Sequence, residues 1–236
     1  MGGGSKFWDL FHLDDGRLDG GDESTLDKER DESDATVPAI LQTDGSLAAA
    51  ADAIKGSKLA IDLSQWIVQG ETARAEKQPG KHKIYLKAIV HRTVAMCSTR
   101  LGRAQPVFVA DPSATRLRAH LRVNQLNPSV QTKRGKHFVA KCMKSLKLVE
   151  LMGCPALVAK GEAEQLCAQL NRAGLVDACV SQDGDCLCFG AKRVFKVFSP
   201  CQQADGWPME YVDSDDVQKR LGLGREQLIA AMLLLG

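Results

Sequence analysis

The chain predicts an α/β fold, a mostly parallel central sheet flanked by helices. Two observations lead there. Short apolar runs (KLAIDL, PVFVAD, PALVAK) alternate with stretches of helical periodicity. That alternation is the pattern of parallel strands joined by helical crossovers. Acids stand at or just after several of the runs, where open α/β sheets place their ligand crevice.

The elements follow in order. Residues 1–13 hold a short apolar centre, FWDLF, and 14–45 read as a disordered acidic insertion without periodicity. Ser46 and Gly56 bracket a short helix. A buried strand then runs to Asp62. Helices are expected over 64–75 and 82–101, with a strand over 106–111 between 101 and the next helix, 113–122. Asn124 to Thr132, containing Pro128, reads as a loop. Residues 134–152 form an amphipathic helix with Phe138, Cys142, Leu146 and Val149 on one side, stopped by Gly153 and Pro155. Strand 156–159, helix 161–173, strand 176–181, a turn at Asp183/Asp185 and strand 193–198 come next. A loop with Trp207 and Pro208, a helix over 213–221 and a last helix from about 224 complete the series. The organisation is thus 1–13, the insertion 14–45, a first α/β region 46–123, a basic loop and helix 124–153, and a second α/β region 154–236.

Composition narrows the function. Of the 236 residues, 44% are apolar and 5% aromatic, so Leu, Val, Ala and Cys must build the core. No apolar run reaches the length of a membrane span, and the N-terminus lacks a basic region followed by an apolar one. A soluble intracellular protein is expected. The eight cysteines show no C-x2-C pair, which argues against zinc; Cys97, Cys142, Cys167 and Cys179 lie in apolar patterns and are expected buried.

The net charge of +2 hides an asymmetry. Residues 14–34 carry ten Asp/Glu against three Lys/Arg, which leaves 28 Lys/Arg and 19 Asp/Glu elsewhere. Between Asp111 and Glu150 there is no acid but nine bases: Arg116, Arg118, Arg122, Lys133, Arg134, Lys136, Lys141, Lys144 and Lys147. Such a stretch suits a polyanion, although any single Lys or Arg is as readily a solvated helix face.

The acids carry the chemistry. Glu162 and Glu164 head a helix; Asp183 and Asp185 occupy a turn; Asp62 and Asp111 adjoin strands of Val, Ile and Phe. Like charges in one pocket resist ionising unless cations join them, and an oxygen-only donor set suits Mg2+ or Mn2+. Blander readings exist for two of them: Asp183 could cap a short helix, and Glu162 could favour a helix N-terminus through the dipole.

With those residues in view, the sequence resembles the XPG/flap-endonuclease family of structure-specific nucleases. GEAEQLCAQL followed by VSQDGDCLCFGA resembles the family's internal motif. MGGGSKFWDLF, KLAIDLSQWIVQGETA and PVFVADPSATRLRA resemble its N-terminal motif, interrupted by the acidic insertion. FWDLF, DLSQWIVQ and QDGD are most similar to the GEN-like branch of Holliday-junction resolvases and plant single-strand DNA endonucleases. The resemblance implies a PIN-like domain and two Mg2+ ions, replaceable by Mn2+, held by Asp62, Asp111, Glu162, Glu164, Asp183 and Asp185. It also implies cleavage of branched or flapped DNA in a nuclear setting, with dimerisation on four-way junctions open and protein partners unknown. Gly2, Arg116, Arg118, Arg122, Lys133, Arg134, Lys136 and Lys141 would contact the DNA. Pro112 and Gln125 depart from the family's Gly and Arg, with Arg122 the nearest replacement for the latter. A further Asp and a helix-two-turn-helix would follow beyond Gly236, and the short span from Asp111 to Glu162 implies a reduced arch. An RNA-cleaving PIN-type nuclease and a catalytically impaired junction-binding protein are the alternatives.

Overall fold

The computed structural model describes residues 40–42, 47–75, 84–99, 102–112, 128–198 and 209–235. Its elements are β1 (Ile40–Gln42), α1 (Leu47–Ile54), β2 (Lys58–Asp62), α2 (Leu63–Ala75), α3 (Ile84–Cys97), β3 (Gln105–Ala110), α4 (Pro128–Leu151), β4 (Ala156–Val158), α5 (Ala163–Arg172), β5 (Ala178–Val180), α6 (Asp185–Cys188), β6 (Arg193–Phe198), β7 (Met209–Asp213), α7 (Ser214–Leu221) and α8 (Arg225–Leu235).

The strands form one sheet in the order β1-β7-β6-β5-β2-β3-β4. The β2–β3, β2–β5, β3–β4 and β5–β6 pairs are parallel; β6–β7 and β1–β7 are antiparallel. The chain leaves β2 for β3 and β4 on one side, then crosses back to β5 on the other. The centre of the sheet is therefore a switch point, where the connections diverge and leave a crevice at the carboxyl ends.

Period-2 alternation divides the core between two faces. Leu59 and Ile61, Phe108 and Ala110, and Ala178 and Val180 pack with Trp66, Ile67, Tyr85, Ile89, Met96, Cys142, Leu146 and Val149 from α2, α3 and α4. Ala60, Val109 and Cys179 point the other way, toward Cys167 and Ala168 of α5, Cys186 and Leu187 of α6, Val217 of α7 and Leu228 of α8. Gly70 lets α2 and α3 touch: a Cβ there would stand 2.9 Å from the Tyr85 Cα. α7 has sequence-legible ends. The Asp213 carboxylate accepts from the Asp215 N–H at 3.1 Å, and Gly222 takes the left-handed C-cap at φ 66°.

Four features depart from the sequence reading. Residues 40–42 fall inside the stretch expected to be disordered, yet form β1, paired Ile40↔Val212 and Leu41↔Tyr211. The acidic run ends at Asp34, and the apolar residues after it find a strand to pair with. That partner, β7, was itself expected as loop, because five residues beside Trp207 and Pro208 give little periodic signal. Pro128 begins α4 instead of marking a loop, since its fixed φ suits a helix's first turn. α3 stops at Cys97, short of residue 101, and just past it the Ser98 hydroxyl donates to the Ala95 carbonyl at 2.6 Å. The helix expected over 113–122 lies outside the described residues.

Candidate active site

The strand register sets the site. Asp62, the last residue of β2, pairs in register with Val109; Asp111 follows one residue after β3; Ser181 follows β5. Their neighbours therefore reach the same edge of the sheet, with β2 in the middle. Asp62 and Asp111 are only 2% and 1% exposed, and Glu164, in the first turn of α5, 7%.

A hydrogen-bonded hinge fixes the strand-borne acids. Asp62 Oδ1 accepts the N–H groups of Ser64 at 2.9 Å and Gln65 at 3.2 Å, which caps α2. Ser64 Oγ accepts the Asp111 N–H at 3.0 Å, joining the ends of β2 and β3. Gln65 Oε1 accepts the Gln182 N–H at 2.8 Å, which ties the same helix start to the turn after β5. In that turn Ser181 Oγ accepts the Asp183 N–H at 3.1 Å, and Asp183 Oδ1 accepts the Asp185 N–H at 3.3 Å. Asp183 thus supports the start of the four-residue α6. Glu162 stands at the N-cap of α5 in extended conformation, and its side chain makes no cap hydrogen bond.

The acids feel one another. Burial and then the charge of Asp183, its hydrogen bond, and the charges of Glu164 and Glu162 push the Asp185 carboxyl from the ordinary 3.8 up to about 7. Thiols line the back of the cluster. Burial, with the nearby Asp62 and Asp111 charges, pushes the Cys142 thiol up to about 12 against the lowering effect of a hydrogen bond to Ser64. Cys167 and Cys186 are likewise raised, beside Asp62 and Glu164. The Cys186 thiol reaches the Glu164 carbonyl at 3.8 Å. Cys142, Cys167 and Cys179 are buried as their apolar surroundings predict; that Cys142 and Cys167 lie beside the acids, and the Ser64/Gln65 hinge, have no local signal, because Ser64 and Gln65 look like ordinary first-turn residues.

Among the described residues, no three acidic, His or Cys side chains close around a single ion as placed. The donor set nonetheless fits a hard divalent cation. Every candidate ligand is a carboxylate oxygen, and the Asp185 carboxyl is raised by burial and by the neighbouring carboxylates.

The basic residues fall differently. Lys141, expected at the DNA, has its ammonium paired with Glu71 of α2 and 5.9 Å from the Tyr85 ring centroid, where α2, α3 and α4 meet. Lys133, Arg134 and Lys136 lie on α4. Gly2, Arg116, Arg118 and Arg122 lie outside the described residues. Cys97, expected buried, is exposed.

Residues 153–236 match the XPG I-region family model. The chain is 36% identical over 199 residues to Flap endonuclease GEN-like 1 of Arabidopsis thaliana, an alignment covering 78% of this chain and 32% of that protein. The chain belongs to the XPG/flap-endonuclease family. Single-strand DNA endonuclease 1 of the same plant is 34% identical over 197 residues, again 78% of this chain and 32% of the relative. The chain thus spans about a third of the length of these curated relatives. Its fold matches that of human GEN1 in complex with Holliday junction DNA at a TM-score of 0.66 and 27% identity, covering 79% of this chain and 45% of that one. The catalytic core of Rad2 in complex with DNA substrate shares the fold at a TM-score of 0.56 and 23% identity, covering 84% of this chain and 57% of that one. Among the described residues no helix is long and apolar enough to cross a membrane.

Proposed function

We propose that this chain is the nuclease core of a structure-specific DNA endonuclease that hydrolyses phosphodiester bonds at flaps, forks and four-way junctions. The observation that carries the reading is the convergence of the turn bearing Asp183 and Asp185, tied to the start of α2 through Gln65 and Gln182, on the edge of the sheet where Asp62 and Asp111 also end. Its GEN-like relatives and the GEN1 fold support branched DNA as the substrate. A GEN1 structure with product DNA and a Mg2+ ion, 25% identical, supports a divalent cofactor. A nuclear setting follows from that substrate.

Asp62, Asp111, Glu162, Glu164, Asp183 and Asp185 would hold two Mg2+ ions, with Mn2+ able to replace them. Bound there, the cations supply an activated water and neutralise charge developing on the phosphate. The chain's own residues do the rest. The carboxylates act as ligands and not as nucleophiles. Ser64 and Gln65 hold the ends of β2, β3 and β5 at fixed spacing, so the acids keep their mutual placement while DNA enters. Gly2, Arg116, Arg118, Arg122, Lys133, Arg134 and Lys136 would contact phosphates, which orients the duplex without reading its sequence. Lys141, already paired with Glu71, serves the packing of α4 instead. Branch shape then selects the substrate, and two copies acting on one four-way junction belong to this reading.

Labelled 5′-flap DNA, four-way junction DNA and single-stranded RNA, each incubated with the intact protein in Mg2+, test it. Incision of the branched DNAs, abolished by EDTA and by Asp183→Asn, is expected. Junction binding without incision would leave a scaffold, and cleavage confined to RNA would move the protein to another nuclease class; either result overturns the proposal.

A further inference from the structure

A second reactive cluster lies at the opposite, amino-terminal end of the strands. Cys97 closes α3, and Cys154 sits in the turn from α4 to β4. Both are pinned by backbone. The neighbouring Met96 carbonyl accepts the Ala104 N–H at 3.0 Å; the Val149 carbonyl accepts the Cys154 N–H at 3.0 Å; the Pro155 carbonyl accepts the Phe108 N–H at 2.9 Å. The two side chains face the same groove, and the charge of Cys97 bears on Cys154. Together with Thr93, Val94, Ser98 and Met152 they line an open groove of about 360 Å³. Cys97 is exposed and Cys154 half-buried, whereas Cys142, Cys167, Cys179 and Cys186 are enclosed.

We propose that Cys97 and Cys154 are a redox modification site, closing to a reversible intramolecular disulfide in exchange with a small disulfide such as oxidised glutathione. The order of steps follows from the placement. The Cys97 thiolate attacks one sulfur of glutathione disulfide and releases one glutathione. The Cys154 sulfur, having lost its proton to solvent, attacks the Cys97 sulfur and releases the second. The protein gives up two electrons and two protons, and glutathione disulfide is reduced to two thiols. Cys97 is the first nucleophile because it is the exposed one. Burial pushes both thiols up, Cys154 to about 11, so closure is slow and answers sustained oxidation.

The bond would close a loop from 97 to 154 that contains Asp111 and the whole acid-free basic stretch. It would staple the base of that segment without touching the carboxylates. Closing so long a loop restricts the unfolded chain, so a Tm rise of about 5–10 °C is expected.

Intact protein is equilibrated with excess glutathione disulfide, free thiols are blocked, and peptides are mapped without reduction. A Cys97–Cys154 cross-linked peptide pair, with the Tm rise reversed by dithiothreitol, is expected. Cys97→Ser and, independently, Cys154→Ala should each lose both the cross-link and the Tm shift. Glutathione left on Cys97 without an internal bond, a cross-link between another pair, or no modification at all would overturn the proposal.

Discussion

Asp62 and Asp185 stand at the same edge of one sheet and relate to the fold in opposite ways. Asp62 is held by the fold and holds it: its carboxylate caps α2, and Ser64 beside it reaches Asp111. Asp185 has like charges around it, and its carboxyl is pushed up to about 7. One acid is stabilising and the other destabilising, within a single cluster. A cluster of this kind needs both types. The strand-borne acids supply fixed geometry, and in the proposed site the turn-borne ones would supply the crowded negative charge that a cation relieves.

The largest effect that separates the two is on activity. Asp183→Asn and Asp185→Asn should each lower branched-DNA incision by at least about 100-fold, while leaving the fold intact or more stable. Single-turnover cleavage beside thermal melting in EDTA checks both halves of that statement.

Asn171 calibrates what a satisfied buried polar group contributes on α5, the helix that carries Glu164. Its Nδ2 donates to the Val176 carbonyl at 3.0 Å, and its Oδ1 accepts the N–H groups of Lys192 at 2.7 Å and Arg193 at 3.3 Å. Asn171→Ala would orphan three backbone groups at once and should cost about 2–3 kcal/mol of unfolding free energy, measured by urea titration. A loss under about half a kcal/mol would show that water takes over the strut.

Asp62 offers a finer division. Asp62→Ala should lose the cap as well as the ligand and destabilise by about 1 kcal/mol, whereas Asp62→Asn keeps a cap of similar quality and loses activity alone. Equal stabilities for the two variants would remove Asp62's structural role.

The turn-borne acid gives a pH signature. The folded Asp185 carboxyl titrates at about 7 against 3.8 when unhindered, so its ionisation opposes folding. Stability from this group is fully present at low pH, declines as the pH rises from about 4 to 7, and stays lower above that. Discounted for partial exposure, the drop is on the order of 1 kcal/mol. Asp185→Asn should flatten that part of the metal-free pH–stability curve by about this amount; an unchanged slope contradicts the crowding.

The smallest effect comes from Ser145, which is buried on α4 and whose hydroxyl makes no hydrogen bond among the described residues. Ser145→Ala removes that burden and should raise stability by about 0.5–1 kcal/mol in the same urea titration.

Much of this layout was legible in the residues. Apolar runs ending in Asp62 and before Asp111 located two strands and the edge at which they finish, and the GEAEQ and QDGD segments marked where α5 and the β5 turn begin. What stayed hidden lacks a local signal. β1 and β7 are short and stabilise each other across most of the sequence, so neither reads as a strand alone. Pro128 carries the same letter in a loop as in a helix's first turn. Lys141 looks like any exposed lysine until Glu71 and Tyr85, far away in sequence, close on it. The Ser64–Asp111 and Gln65–Gln182 links are likewise non-local, and no spacing rule anticipates them.

Counting Mn2+ ions bound to the intact protein by electron paramagnetic resonance tests most directly whether these carboxylates form one cation site. Two ions per chain, displaced by Mg2+ and weakened by both Asp62→Asn and Asp185→Asn, are predicted. No stoichiometric binding, or binding indifferent to both substitutions, would contradict the account.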